Sequence, residues 1–294
     1  MHLIRALVDG QPRCGIMENG SVHLFTKEAP LIGAVAMAGD MCGLIAAANG
    51  KADALAREAL AKGQVDTMPA ERVRLLAPLA NPGKIICAWF NFPNPAMAKM
   101  PEVPIVFSKY ASAITNPGDP IVLPIIANNI VVEPELTAVI GTRGKHVTPE
   151  QAMDLVMGYT IVNDVTAFSH RLQELLGSQG PYGLAKSFDS FAPMGPVIAL
   201  AEGFGDPHNV RIRQWTSEEL QTDERSASMI YRLPTLISYL SGFFMLEPGD
   251  IIMCGSPFPL GGKPCFLKDG DTVRIEIEGI GILESPVIAE APSA

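Results

Sequence analysis

Hydrophobic and polar positions divide the chain into two textures. The first 78 residues open on short β-type runs joined through Asp9-Gly10, and Asn19-Gly20 marks a second hairpin turn. An alanine-rich amphipathic stretch, KADALAREALAKG (51–63), follows. Its Leu55, Ala59 and Leu60 recur at helical spacing, and Gly63 supplies a stop. Residues 73–84 turn from apolar to proline-bearing and read as a linker. Beyond residue 84 the pattern is short strands punctuated by Pro-Gly-Asp turns at 117–119 and 248–250. Two helices are predicted there. One spans 148–159, with Thr148 as N-cap, Pro149 at N1 and Gln151 at N3. The other spans 233–246 and is mostly apolar. The pattern predicts a β-rich α+β fold: a small N-terminal α/β domain over 1–78 and a larger domain over 79–294.

The most informative stretch is VVEPELTAVIG (131–141). Residues i and i+2 of a strand share a face, so Glu133 and Glu135 aim at one point. Apolar residues on both faces predict a buried strand. A buried carboxylate is costly unless it is paired or binds metal. Asp164 follows in IVNDVTA. Three carboxylates without Cys or His suit magnesium, manganese or calcium rather than zinc. The competing reading is a solvated edge, because Pro134 is at home on edges and bulges.

Composition narrows the function. Hydrophobic residues make up 48% of the 294 positions and charged residues 18%, which fits a packed core rather than disorder. The net charge of −9 argues against a nucleic-acid partner. No apolar run reaches the ~20 residues of a membrane helix, and MHLIRALVDGQ does not read as a signal peptide. The five cysteines include no CxxC pair and are expected as free thiols, mostly buried, in a reducing cytoplasm. Neither a P-loop nor a Gly-x-Ser-x-Gly motif is present.

Seven segments, in order, resemble the fumarylacetoacetate hydrolase family over Pro82–Val287. They are PGKIICAWFNF (82–92), FSKYASAITNPGDPIVLP (107–124), VEPELTAVIG (132–141), GYTIVNDVTA (158–167), AKSFDSFAPMGP (185–196), LEPGDIIMCGSP (246–257) and LKDGDTVRIEIEGIGILESPV (267–287). The resemblance implies a mixed β-roll catalytic domain and a homodimer. It implies a metal site of Glu133, Glu135 and Asp164 holding Mg2+ or Mn2+, with Lys186 stabilising a developing enolate. Asn91, Phe92, Lys109, Phe168 and Ser256 fall on segments expected to contact substrate.

Two departures from the family pattern stand out. Many members carry a His/Glu dyad that activates water; Pro95 and Ala98 stand at those positions here. Phe168 replaces an arginine that often contacts an acidic substrate. His170, six residues after Asp164, is the histidine best placed to substitute as a base; its competing reading is a surface residue. His208 is expected to be structural.

The implied activity is metal-dependent cleavage of a carbon–carbon bond in a 1,3-dicarbonyl or acylpyruvate-type 2-oxo acid, within catabolism. Decarboxylation, isomerisation or tautomerisation, and hydration or dehydration need the same metal and lysine without the dyad, and remain open. So does a non-catalytic, ligand-binding role. The apolar Phe92, Met97 and Phe168 hint at a bulkier or less acidic substrate.

Overall fold

The computed structural model describes residues 1–94, 99–168 and 182–291. The N-terminal strands are β1 (His2–Val8), β2 (Gln11–Glu18), β3 (Ser21–Phe25), β4 (Val65–Pro69) and β5 (Arg74–Leu76). Three helices, α1 (Gly33–Met37), α2 (Met41–Ala48) and α3 (Ala52–Ala61), fill the connection from β3 to β4. Then come β6 (Ile85–Trp89), β7 (Ile105–Ser108), β8 (Ile114–Thr115), β9 (Ile121–Leu123), β10 (Ile130–Val131) and β11 (Pro134–Ile140). The short helix α4 (Pro149–Ala152) precedes β12 (Val156–Asn163) and β13 (Thr166–Ala167). The last part holds α5 (Tyr182–Ala185), β14 (Ala192–Leu200), β15 (Arg211–Thr216), β16 (Glu219–Arg225), α6 (Leu233–Phe243), β17 (Ile251–Met253), β18 (Thr272–Ile277) and β19 (Gly281–Ala289).

Among the described residues these strands form a mixed sheet ordered β4-β3-β2-β1-β14-β12-β11-β17-β6-β7, with β5 paired to β1 and β8 to β14. A second sheet runs β16-β15-β18-β19-β9, and β10 pairs with β13. Strands β11, β12 and β14 pack against β15, β18 and β19, so the core lies between the two sheets. A β-rich α+β fold of the fumarylacetoacetate hydrolase type is what the sequence pattern and resemblance predict. A boundary at 78/79 cuts through a continuous sheet, because β1 pairs with β14 as His2↔Ala199 and Leu3↔Ile198.

The hairpin turns fall at Asp9-Gly10 and Asn19-Gly20, all four residues with positive φ. Helix α3 covers 52–61 of the predicted 51–63. The helix predicted over 148–159 is shorter. The capping box of Thr148 and Gln151 forms, but a 3-10 turn follows at Met153–Leu155 and the chain then enters β12. The physical reason is tertiary: β12 is buried throughout and pairs on both sides, with β11 and β14. A strand with two partners outweighs the weak helical preference of its N-terminal residues.

Helix α6 begins without a side-chain cap of its own. His208 supplies the acceptor from a distance: its Nε2 receives the Leu233 N–H at 3.2 Å, while Nδ1 lies 3.2 Å from Asp206. Burial lowers the His208 pKa below its ordinary 6.5, against the pull of Asp206. The neutral imidazole is therefore the folded form, as an acceptor at Nε2 requires. Above pH 6.5 both folded and unfolded imidazoles are neutral. Below it the unfolded chain takes up a proton that the folded one resists, so stability falls with pH. His2 shifts in the same direction, again chiefly through burial. We expect urea denaturation to show a loss of stability from pH 7.5 to 5.5, and a smaller loss for His208→Gln, whose amide oxygen keeps an acceptor. Equal losses would remove His208 from the balance.

Candidate metal centre

Strand register builds the site. Pro134 opens β11 opposite Asn163, the last residue of β12, and Glu135 pairs with Val162. One step further, the Asp164 N–H donates to the Glu133 carbonyl oxygen at 2.9 Å. Asn163 Oδ1 accepts the Glu133 N–H at 3.2 Å. These bonds set Glu133 and Asp164 side by side, where both strands end. Strand β11 is buried throughout and pairs with β12 on one side and β17 on the other, so it is not a solvated edge, although Glu133 just before it stays partly exposed; Pro134 takes the first strand position, where its missing N–H costs no ladder bond. Carboxylate oxygens of Glu133, Glu135 and Asp164 all lie within 4.8 Å of one another.

Two lysines hold the aspartate. Lys109 Nζ donates to Asp164 Oδ1 at 2.6 Å and to the Val165 carbonyl at 3.2 Å. Lys186 Nζ donates to Asp164 Oδ2 and Glu133 Oε2, both at 2.6 Å, and to Thr166 Oγ1 at 2.7 Å. It also sits 4.8 Å from the centre of the Phe107 ring. Glu135 Oε2 accepts the Gly255 N–H at 2.6 Å. Gly255 has φ +86°, and a Cβ there would lie 2.8 Å from Asn91 Cβ, so glycine lets the backbone approach the carboxylate.

The charges separate by environment. Burial would raise Asp164, but Lys109 and Lys186 outweigh it and hold the carboxyl below its ordinary range. Burial pushes Glu133 up, with Lys186 opposing. Glu135 is pushed well above the carboxylate range by burial, then by Asp164 and Glu133. With all three carboxyls ionised, Lys109 and Lys186 would leave one negative charge in excess. Among the described residues Glu135 has no cation of its own within salt-bridge distance. A hard divalent cation facing the three oxygens would restore the balance and keep Glu135 ionised, so the donor set fits such an ion.

The triad opens into a cavity of ≈ 410 Å³. Of the residues singled out in the sequence, Lys186, Phe92, Phe168 and Ser256 line it. Two expected contacts lie elsewhere. Asn91 does not reach the cavity wall: its amide donates to the carbonyl oxygens of Tyr231 and Cys254 and accepts the Tyr231 N–H. All of its capacity goes to tying the β6 exit to distant segments. Lys109 is also off the wall, buried behind Asp164, and acts on the site through that carboxylate. His170, Pro95 and Ala98 lie outside the described residues. Cys87 and Cys254 are buried, and burial raises both thiols, so neither serves as a nucleophile.

Sequence reasoning missed Phe90, Gln214 and Gln221, which also line the cavity. Phe90 carries a strained φ of +52° and stacks on Trp89 at 4.3 Å between ring centres. The available signal for Gln214 was a polar residue at an inward position of the alternating run RIRQWT.

Lys109→Met removes one cation from a fully buried pair and leaves Asp164 with a single lysine. We expect a loss of about 3 kcal/mol in denaturant unfolding. A loss under about 1 kcal/mol would show that Lys109 does not carry the Asp164 charge.

Comparison with known proteins identifies the family. Residues 84–288 match the family described as fumarylacetoacetate (FAA) hydrolase C-terminal. The mitochondrial oxaloacetate tautomerase fahd2 of Xenopus laevis is 38% identical over 222 residues, covering 74% of this chain and 69% of the relative. The human mitochondrial oxaloacetate tautomerase FAHD2A is 36% identical over 240 residues, covering 80% and 75%. Maleylpyruvate hydrolase from Sphingobium sp. SYK-6, solved in complex with manganese(II) ion and pyruvate, superposes with a TM-score of 0.80 at 27% identity, covering 99% of this chain and 100% of that one. By its matched segments, its fold and its relatives, the chain belongs to the fumarylacetoacetate hydrolase family.

Proposed function

We propose that the protein is a divalent-metal-dependent enzyme that interconverts the keto and enol forms of a 2-oxo acid, with Glu133, Glu135 and Asp164 as metal ligands. One observation carries this reading. Among the described residues, the cavity wall joins the carboxylate triad and Lys186 to a lining without histidine. In the sequence, Pro95 and Ala98 occupy the positions of the family's water-activating dyad. Hydrolysis needs a group that takes a proton from water. Neither proline nor alanine can do so. The identity to oxaloacetate tautomerases supports the same choice.

Bound at the triad, the cation supplies Lewis-acid stabilisation to the oxo and carboxylate oxygens of the substrate. The chain supplies the rest. Burial works against the charge of Lys186, but Asp164 and Glu133 outweigh it and raise its pKa. Lys186 therefore faces the cavity as an ammonium at neutral pH. It holds a proton at Nζ beside the position where enolate charge develops. Thr166 Oγ1 and the Asp164 Oδ2 fix the direction of that ammonium. Phe90, Phe92 and Phe168 make the adjoining wall apolar, which strengthens these electrostatics and disfavours water as a reactant.

The test follows the ketonisation of enol oxaloacetate and enol phenylpyruvate by ultraviolet absorbance. Acylpyruvate turnover in oxygen-18 water runs in parallel. We expect magnesium- or manganese-dependent ketonisation that EDTA abolishes. Glu135→Ala should lose at least about 100-fold while keeping its circular dichroism spectrum. Oxygen-18 entering the acid product of an acylpyruvate at a comparable or higher rate would establish hydrolysis and overturn the proposal.

A further inference from the structure

The second sheet brings two buried amides, neither of them a candidate metal ligand, to the cavity that holds the triad. Gln214 of β15 and Gln221 of β16 are 2% and 8% exposed, and both line the wall. Gln214 takes the inward direction of ordinary alternation, along with Ile212 and Thr216. Gln221 gets there by a bulge. Gln214 pairs with Thr222 and Trp215 with Leu220, so Gln221 is the extra residue between them. The bulge turns both Gln221 and Thr222 inward, where strict alternation would leave one of them outside. Bulges that re-aim a side chain recur beside active sites.

The two amides are poised for a ligand. Gln214 Nε2 donates to Thr216 Oγ1 at 3.0 Å, which fixes the amide and leaves its Oε1 without a hydrogen bond among the described residues. The Gln221 amide makes no hydrogen bond to any described residue, although it is nine-tenths buried. Neither amide belongs to the fully buried atoms left without a partner, so their free polar atoms open onto the cavity, where a ligand group can take the place of water. The wall around them offers no charge to a second anion. Its one cation among the described residues is Lys186, already held by Glu133 and Asp164. Phe168 stands nearby as an apolar lining group. A carboxylate placed here would find no free counter-ion among the described residues.

We propose that Gln214 and Gln221 form a specificity clamp for a neutral polar group, a ketone, hydroxyl or amide, at the end of the substrate remote from the metal. The proposal rests on the reading above that a 2-oxo acid chelates at the triad. Each amide offers an accepting oxygen as well as an N–H, and the two oxygens suit a neutral end group better than a carboxylate. The cavity volume of ≈ 410 Å³ leaves room for an arm beyond the chelating end.

Three probes share the chelating end and differ at the far end: 2-oxoglutarate (charged), 2,5-dioxohexanoate (neutral polar) and 5-methyl-2-oxohexanoate (apolar). Calorimetric titration of each into the manganese-loaded protein reads binding without turnover. We expect 2,5-dioxohexanoate to bind tightest. Gln221→Met should weaken it about tenfold and leave 5-methyl-2-oxohexanoate unchanged or tighter. The apolar probe thereby controls for folding and metal loading, and Gln214→Met should show the same pattern. Tightest binding of 2-oxoglutarate, or equal affinity for all three probes, overturns the clamp and leaves chelation standing. No manganese-dependent binding of any probe overturns both the clamp and the chelation reading.

Discussion

Asp164 keeps its charge in the protein interior because Lys109 and Lys186 each grip one of its oxygens at 2.6 Å. The rest of the site hangs on that grip. The register of β11 with β12 places Glu133 beside Asp164, so the same lysine that holds the aspartate also holds the glutamate. Glu135 is left with a single backbone donor, from Gly255. The result is a graded cluster: one carboxylate pulled down by two cations, one intermediate, and one pushed far up. Of the three, Glu135 is the carboxyl with no lysine at hand among the described residues.

The two sheets divide the work. The larger one supplies the charged end of the cavity, through the ends of β11 and β12. The smaller one supplies a neutral polar wall, through β15 and the bulge in β16. Packing β11 against β15 brings both into one cavity. The carboxylates and the two amides thus come to one cavity from separate sheets of a common core.

The glutamate pair was legible in the sequence because its information is local: an i, i+2 pair in an apolar run needs no knowledge of the rest of the fold, whereas Asp164, 29 positions on, was joined to it by the family resemblance. The hairpin turns and the Thr148 cap were legible for the same reason. What escaped was non-local. Asn91 reads as a loop polar residue facing substrate, but its partners are Tyr231 and Cys254, more than a hundred positions away. Lys109 lies in the right segment, yet only the fold shows that Asp164 stands between it and the cavity. The helix predicted to reach residue 159 stops because β11 and β14 claim the chain from Val156 onward. A bulge leaves no mark on composition or periodicity, so Gln221 looked like one more polar residue on a strand.

Strand β17 is only three residues long, yet it is the piece that joins β11 to β6. Its pairing with β6 is parallel and spans about half the chain, Ile85 with Ile251. During synthesis, the apolar edges of β6 and β11 are made long before the strand that covers them. At ~5–20 residues per second, the ribosome takes on the order of ten seconds to travel from β11 to β17. Gly255, whose amide holds Glu135, emerges just after. The nascent chain therefore carries two open, hydrophobic sheet edges and an unfinished cation site for that interval. In that period premature strand pairing between neighbouring chains competes with folding.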